Sequence, residues 1–237
     1  MTVTINSDLG EGIGLHSFGN DEELLNLIDV ANVACGFHAS DPQIMEHTVA
    51  IAFRQRVAVG AHPGFPDLVG FGRRAISMTP DEVENMVRYQ VGALSAFLDK
   101  YDLPLNHIKP HGALYGVASQ QPEVMAAIAR VARDYSVPVF GLAGTLHQEV
   151  AEELGVGFVG ELYVDLDYSA AGELLIKRKP QPIDPAAAAE RVARALETGK
   201  VTSVEGTEVE ISFNSICVHS DPYNAADVVR ALKNIIH

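Results

Sequence analysis

What this sequence has little of narrows what it can do. Against 31 Asp and Glu residues it carries 17 Lys and Arg, a formal net charge of −14 over 237 residues. Its longest basic run is Lys177, Arg178, Lys179. A chain this acidic repels phosphodiester backbones and anionic headgroups, so neither nucleic acid nor membrane is an expected partner. Nothing approaches the roughly 18 consecutive apolar residues of a membrane helix. The opening Met1-Thr2-Val3-Thr4-Ile5-Asn6 lacks the basic and then apolar plan of a secretory signal, so a cytoplasmic location is expected. Cysteine is rare: Cys35 and Cys217 lie far apart, each after an apolar run and outside any CxxC pattern, which predicts reduced, buried thiols. Walker A loops and HExxH pairs are missing. So are repeats, low-complexity tracts and long polar linkers.

What is present is a core-forming composition, 47% hydrophobic, enough for one α/β domain over residues 1–237. Short β-branched runs alternate with longer segments of helical period, the pattern of βα units around a parallel sheet. Strands are predicted at Val3–Asn6, Val30–Ala34, Val57–Ala61, His107–Lys109, Val137–Leu142, Phe158–Leu162 and Ser215–Val218. Seven strands can close a barrel, although their spacing alone does not require it. Thr79-Pro80-Asp81-Glu82 predicts a capped helix start, followed by the stripe Val83, Met86, Val87, Val91, Leu94, Phe97, Leu98. Asp41-Pro42, Asp184-Pro185 and Asp221-Pro222 predict further starts. The rhythm lapses between about 163 and 182, an irregular excursion that can serve as a flap.

Four histidines fall at or just after predicted strand ends: His38, His62, His111 and His219. In a parallel barrel these positions share one face, where reacting groups collect because strand ends are rigid and the loops above them vary. Asp8 and Glu11 follow the first strand and join the same mouth. His47, His147 and His237 lack that placement and read as structural or solvated, whereas His16 stays open. Lys109 at a strand end is costly unless it meets an anion. Either a substrate anion or an ion pair with a carboxylate such as Asp8 satisfies it. Arg73 and Arg74, in a glycine-rich loop, could close over an anionic ligand, one of them being simply solvated. Gly10-Glu11-Gly12-Ile13-Gly14 follows a strand as phosphate loops do, but a tight positive-φ turn explains it equally well.

Five segments together carry a resemblance: Asn6-Ser7-Asp8-Leu9-Gly10-Glu11, Ala34-Cys35-Gly36-Phe37-His38-Ala39, Gly60-Ala61-His62-Pro63-Gly64-Phe65-Pro66-Asp67, Gly70-Phe71-Gly72-Arg73-Arg74 and Lys109-Pro110-His111-Gly112-Ala113-Leu114-Tyr115. In this order they resemble the LamB/YcsF family, and the likeness runs from Asn6 to about Asp227. The resemblance implies an irregular seven-stranded (β/α) barrel of the glycoside hydrolase/deacetylase type. It also implies ATP-dependent opening of 5-oxo-L-proline to L-glutamate, as the A subunit of a 5-oxoprolinase with partner subunits B and C. Carried over by position, it implies Asp8, His38, His62, Lys109, His111, Asp165 and His219 as site residues. Two positions depart from the family's pattern. Leu166 stands where an Arg usually follows Asp165, a loss that Lys177 or Arg178 could offset, and Ser220-Asp221 replaces the usual Gly-Asp.

This chemistry asks for a base for water, a donor for the departing nitrogen and cations for phosphoryl charge. His111 or His219 is the expected base, oriented by Asp8, with Lys109 and Asp165 beside it and Glu11, Arg73 and Arg74 as anion contacts. A competing expectation is a metal-dependent, ATP-independent amidohydrolase or deacetylase in which Asp8, His38 and His62 hold one divalent ion. A third is a non-catalytic subunit that binds the lactam and presents it to a partner.

Overall fold

The computed structural model describes residues 3–175 and 181–236. In chain order it runs β1 (Thr4–Leu9), α1 (Asp21–Leu25), β2 (Val30–Ala34), α2 (Pro42–Gln55), β3 (Ala58–His62), α3 (Pro80–Asp99), α4 (Gly112–Ala118), α5 (Pro122–Asp134), β4 (Val139–Gly141), α6 (Leu146–Glu153) and β5 (Phe158–Tyr163). It continues with β6 (Asp167–Tyr168), β7 (Leu174–Leu175), α7 (Pro185–Thr198), β8 (Lys200–Thr202), β9 (Glu208–Glu210), β10 (Ser215–Cys217) and α8 (Ala225–Ile236).

Six strands form one parallel sheet in the order β3-β2-β1-β10-β5-β4. Ile108 then joins its two edges, bridging Ala61 on one side and Val139 on the other. The Ile108 amide donates to the Pro138 carbonyl (3.0 Å), the Phe140 amide to the Ile108 carbonyl (3.0 Å), and the Lys109 amide to the Ala61 carbonyl (2.9 Å). The expected barrel therefore closes, with its seventh strand reduced to one bridging residue. Pro110 has no N–H and so ends the ladder on the β4 side, while on the β3 side the His111 amide still donates to the Pro63 carbonyl (2.9 Å).

Local chemistry accounts for most helix starts. Thr79 and Glu82 form the predicted capping box, and Val83, Met86, Val87, Val91, Leu94 and Leu98 are buried. Asp41 and Asp184 cap α2 and α7. The third Asp-Pro expectation fails: α8 begins at Ala225, because the Asp221 carboxylate turns to Arg73 instead of capping (2.7 Å). The excursion holds the β6–β7 hairpin, and Lys177, Arg178 and Lys179 lie outside the described residues. A second hairpin, β8–β9, pairs antiparallel after α7 and was not anticipated. No described helix is long and apolar enough to cross a membrane.

The barrel interior is polar at one level. Asn32 on β2 donates to Asn6 Oδ1 (2.8 Å) and Asp8 Oδ1 (2.7 Å) on β1, and accepts at Oδ1 from His107 Nε2 (2.7 Å). His107 fits because Gly60 has no side chain: a Cβ there would stand 2.1 Å from its ring. The apolar side chains of the strands and helices, Ile5, Leu9, Val49, Val87 and Ile128 among them, form the core around this layer.

Candidate functional site

A pocket opens at the carboxyl ends of β1, β3, β5 and β10, lined by Asp8, Glu11, His62, Arg73, Lys109, His111, Tyr115, Tyr163 and His219, together with Leu166 and Leu174. His38 stands behind Glu11 and His111, and Asp165 behind His219. Three polar groupings meet here.

The first is a buried clamp. Lys109 Nζ lies 3.0 Å from both Asp8 Oδ1 and Glu161 Oε1, 3.1 Å from Cys217 Sγ and 3.3 Å from Asn6 Oδ1. Burial works against every charge in it. For Asp8 the charges of His62 and Lys109 outweigh burial and hold its carboxyl well below the usual range. For Lys109 the neighbouring acidic groups, Asp8 first, win in the same way and hold its ammonium well above its ordinary value. Tyr163 completes the clamp by donating its hydroxyl to Glu161 Oε2 (2.8 Å). Lys109 thus takes the ion-pair alternative, and its charge is already balanced by two carboxylates.

The second is a histidine cage. Glu11 Oε1 lies 3.2 Å from His38 Nε2, 3.3 Å from His111 Nδ1 and 4.0 Å from His62 Nε2. His62 Nδ1 is 2.8 Å from the Lys109 carbonyl oxygen, and His111 Nε2 is 2.8 Å from that of Phe71. A carbonyl only accepts, so both nitrogens carry protons and donate them. In the neutral rings, His62 Nε2 and His111 Nδ1 are then both lone pairs, yet they stand 2.9 Å apart. Only a shared proton or a cation relieves that contact. Burial pushes the Glu11 carboxyl up, helped by the Asp8 charge. Burial and neighbouring histidines push His38 and His111 down, toward neutral imidazoles.

These donors fit a divalent ion. Ligand atoms of Glu11, His38, His62 and His111 all lie within 4.8 Å of one another. A tetrahedral ion with bonds of about 2.0–2.1 Å to imidazole would place them about 3.4 Å apart. Metal-bound imidazoles ordinarily donate their other N–H to a fixed acceptor, which His62 and His111 do. His38 Nδ1 is buried without a hydrogen-bond partner, and this ring stacks on His111 with centroids 3.7 Å apart. Of the expected trio, Asp8 is the one drawn elsewhere: its Oδ1 serves Lys109, although Oδ2 remains 3.3 Å from His62 Nε2. Gly64 and Gly72 let their loop pack this closely, since a Cβ at either would come within 2.6 Å or 2.7 Å of His38.

The third grouping is a dyad. His219 Nδ1 donates to Asp165 Oδ1 (2.9 Å), and the His219 amide donates to Oδ2 (2.8 Å). Burial disfavours the imidazolium, but the Asp165 carboxylate overrides it and raises His219 to about 9. His219 Nε2 faces Asp8 Oδ2 at 3.6 Å. The orienter of His219 is therefore Asp165 and not Asp8, and a group already protonated at neutral pH is a donor, not a base.

Other expectations separate. Arg74 leaves the site: its Nε bonds Asp67 (2.9 and 3.0 Å) and its side chain is 53% exposed. The glycine loop takes the tight-turn alternative, with positive φ at Gly10 and Gly14, and Asp21 and Asp41 accept from the amides of those two residues. His47 pairs with Glu22 at the surface, and buried His147 bonds the Tyr115 carbonyl oxygen (3.0 Å). His16 borders a separate surface cavity beside the glycine loop, and His237 lies outside the described residues. Glu161, Tyr163, Asn32 and Asp221 were not anticipated; a Glu inside the apolar run Phe158–Leu162 was the one available signal.

The sequence profile of the LamB/YcsF family matches residues 3–237. The chain is 47% identical to the A subunit of 5-oxoprolinase from Limosilactobacillus fermentum, over 98% of this chain and 94% of that protein. It is 44% identical to the lactam utilization protein lamB of Emericella nidulans, over 98% of this chain and 93% of that one. The crystal structure of the lactam utilization protein from Thermus thermophilus superposes with a TM-score of 0.91 at 41% identity, covering 100% of this chain and 96% of that one.

Proposed function

The chain belongs to the LamB/YcsF family, and on that premise we propose that it opens the lactam ring of 5-oxo-L-proline to L-glutamate, as the A subunit of an ATP-coupled 5-oxoprolinase. The single observation that carries the reading is one pocket that joins the His219–Asp165 dyad to the Glu11–His62–His111 cage. An unstrained amide is a poor electrophile, and its nitrogen leaves only when protonated. Phosphorylation of the lactam oxygen makes the ring carbon attackable. We assign that step to partner subunits B and C, since this chain has no Walker A loop and its own Asp21 and Asp41 hold the Gly10 and Gly14 amides.

Within the pocket, the His219 imidazolium, stabilised by Asp165, gives its Nε2 proton to the ring nitrogen as the C–N bond breaks, and the acyl phosphate that remains releases phosphate to a second water. The cage receives the proton of the attacking water: His111 Nδ1 and His62 Nε2 face each other as acceptors. Asp8, kept ionised by Lys109, orients the polar atoms between dyad and cage. Alternatively, a divalent ion held by Glu11, His62 and His111 would take up those same lone pairs and supply Lewis acidity at the carbonyl or phosphoryl oxygen in place of the cage's role as base.

The test mixes the purified chain with candidate partner subunits and measures phosphate release that depends on 5-oxo-L-proline. Release is expected, and none with any partner would sink the proposal. The facing lone pairs also favour a second reading, metal-dependent amide hydrolysis without ATP. Stoichiometric zinc by elemental analysis, together with turnover in the absence of ATP, would select it. Tight lactam binding that survives loss of every cage histidine would instead select a non-catalytic binding role.

A further inference from the structure

We infer that Arg73 is the receptor for a carboxylate on the substrate, and that Asp221 is an internal stand-in which this carboxylate displaces. The inference rests on the lactam-opening reading and narrows its substrate class to lactams bearing a carboxylate.

Three cationic side chains line the pocket, and two of them are sealed. Lys109 is held by Asp8 and Glu161, with all three side chains at most 4% exposed. His219 is held by Asp165, itself 3% exposed, and fixed a second time through the His219 amide. An incoming anion could displace either partner only by leaving a buried carboxylate unpaired, which is strongly unfavourable. Arg73 differs. Its Nη2 lies 2.7 Å from Asp221 Oδ2, and the Asp221 side chain is 22% exposed, so a displaced Asp221 carboxylate reaches water.

Position supports the exchange. Arg73 lies where the inner pocket meets a larger depression of about 1000 Å³, whose lining includes Glu11, His38 and Asp221. Its guanidinium carbon sits 4.9 Å from the centre of the Phe71 ring, a contact that holds it while its anionic partner changes. A guanidinium offers a planar fork to a carboxylate. Leu166 and Leu174, which also line the pocket, offer a carboxylate nothing. The carboxylate therefore goes to Arg73, and the lactam amide faces the dyad and the cage.

The test compares 5-oxo-L-proline with 2-pyrrolidinone, the same lactam without its carboxylate, by kcat/KM in the reconstituted complex and by calorimetric binding to the full chain. Arg73→Gln should lower the preference for the carboxylated lactam, on the order of tenfold. Asp221→Asn should raise it and lower KM for 5-oxo-L-proline, because the competitor has lost its charge. If both substitutions lower the preference, the pair is a fixed structural unit and the exchange is wrong. If neither changes it while the wild type still handles 5-oxo-L-proline, the inference falls and the lactam reading stands. If the wild type neither turns over nor binds either lactam, that reading falls and takes the inference with it.

Discussion

The clamp and the cage sit side by side in one pocket and are built on opposite terms. In the clamp, charges balance: Lys109 meets Asp8, Glu161 and Asn6, and Tyr163 caps Glu161, whose Oε1 is held by the ion pair alone. In the cage donors and acceptors do not, since His62 Nε2 and His111 Nδ1 offer lone pairs to each other and His38 Nδ1 has no partner. A balanced buried network is scaffold. An unbalanced one, held that way by carbonyls and glycines, is a place built to receive something.

The largest effect should separate the two directly. Lys109→Ala leaves Asp8 and Glu161 buried without a counter-charge and should cost about 3–5 kcal/mol of stability in denaturant unfolding. His111→Ala in the cage should leave stability almost unchanged, because it removes an unfavourable contact. If it unfolds the protein as severely as Lys109→Ala, the comparison breaks. Next, adding zinc to chelator-stripped protein at about 100 times its Kd should raise stability by about 2.7 kcal/mol. Thermal melts would show the shift, Glu11→Gln combined with His62→Ala should abolish it, and the clamp variant Glu161→Gln should retain it.

A pH profile sharpens the role of the dyad. With His219 raised to about 9, turnover should fall as pH rises through about 9 and the donor is lost. Asp165→Asn should move that limb down toward the ordinary histidine range near ~6.5. The sign for stability is the same: the contribution is fully present below the unfolded value and disappears as pH climbs through about 9. The smallest effect belongs outside both clusters. Arg74→Gln should leave kcat/KM for 5-oxo-L-proline unchanged, because the exposed Arg74 side chain bonds Asp67 and does not line the pocket.

Much of this was legible in the sequence where polar residues interrupt apolar runs. Asp8, His38, His62, Lys109, His111 and His219 each follow or end such a run, and a parallel barrel has to bring strand ends to one face. Partnership was not legible. Asp165 and His219 are 54 positions apart, and nothing in a one-dimensional pattern says that His219 takes Asp165 and not Asp8, an exchange that turns an expected base into an acid. Arg73 and Arg74 are neighbours with opposite fates, settled by whether Asp221 or Asp67 is within reach. The glycine loop left two alternatives open, and the turn is the one seen, with Asp21 and Asp41 on its Gly10 and Gly14 amides. In the fold, the strand at 107–109 was correctly placed, but Pro110 limits its pairing with β4 to a single bridging residue.

That single residue gives the ring a seam. Toward β3 the segment keeps a ladder, with Asn106 bonded to Val59, His107 and Lys109 to Ala61, and His111 to Pro63, whereas toward β4 a local fluctuation need break only the two bonds of Ile108 to Pro138 and Phe140. Amides there should exchange with solvent deuterium sooner than those of the β1–β2 ladder, by partial opening and not global unfolding. Because Lys109 and His111 follow directly, each such breath also moves one wall of the pocket. The hoop of the barrel is thus weakest where the clamp is anchored, and the Lys109 ion pairs act as its rivet.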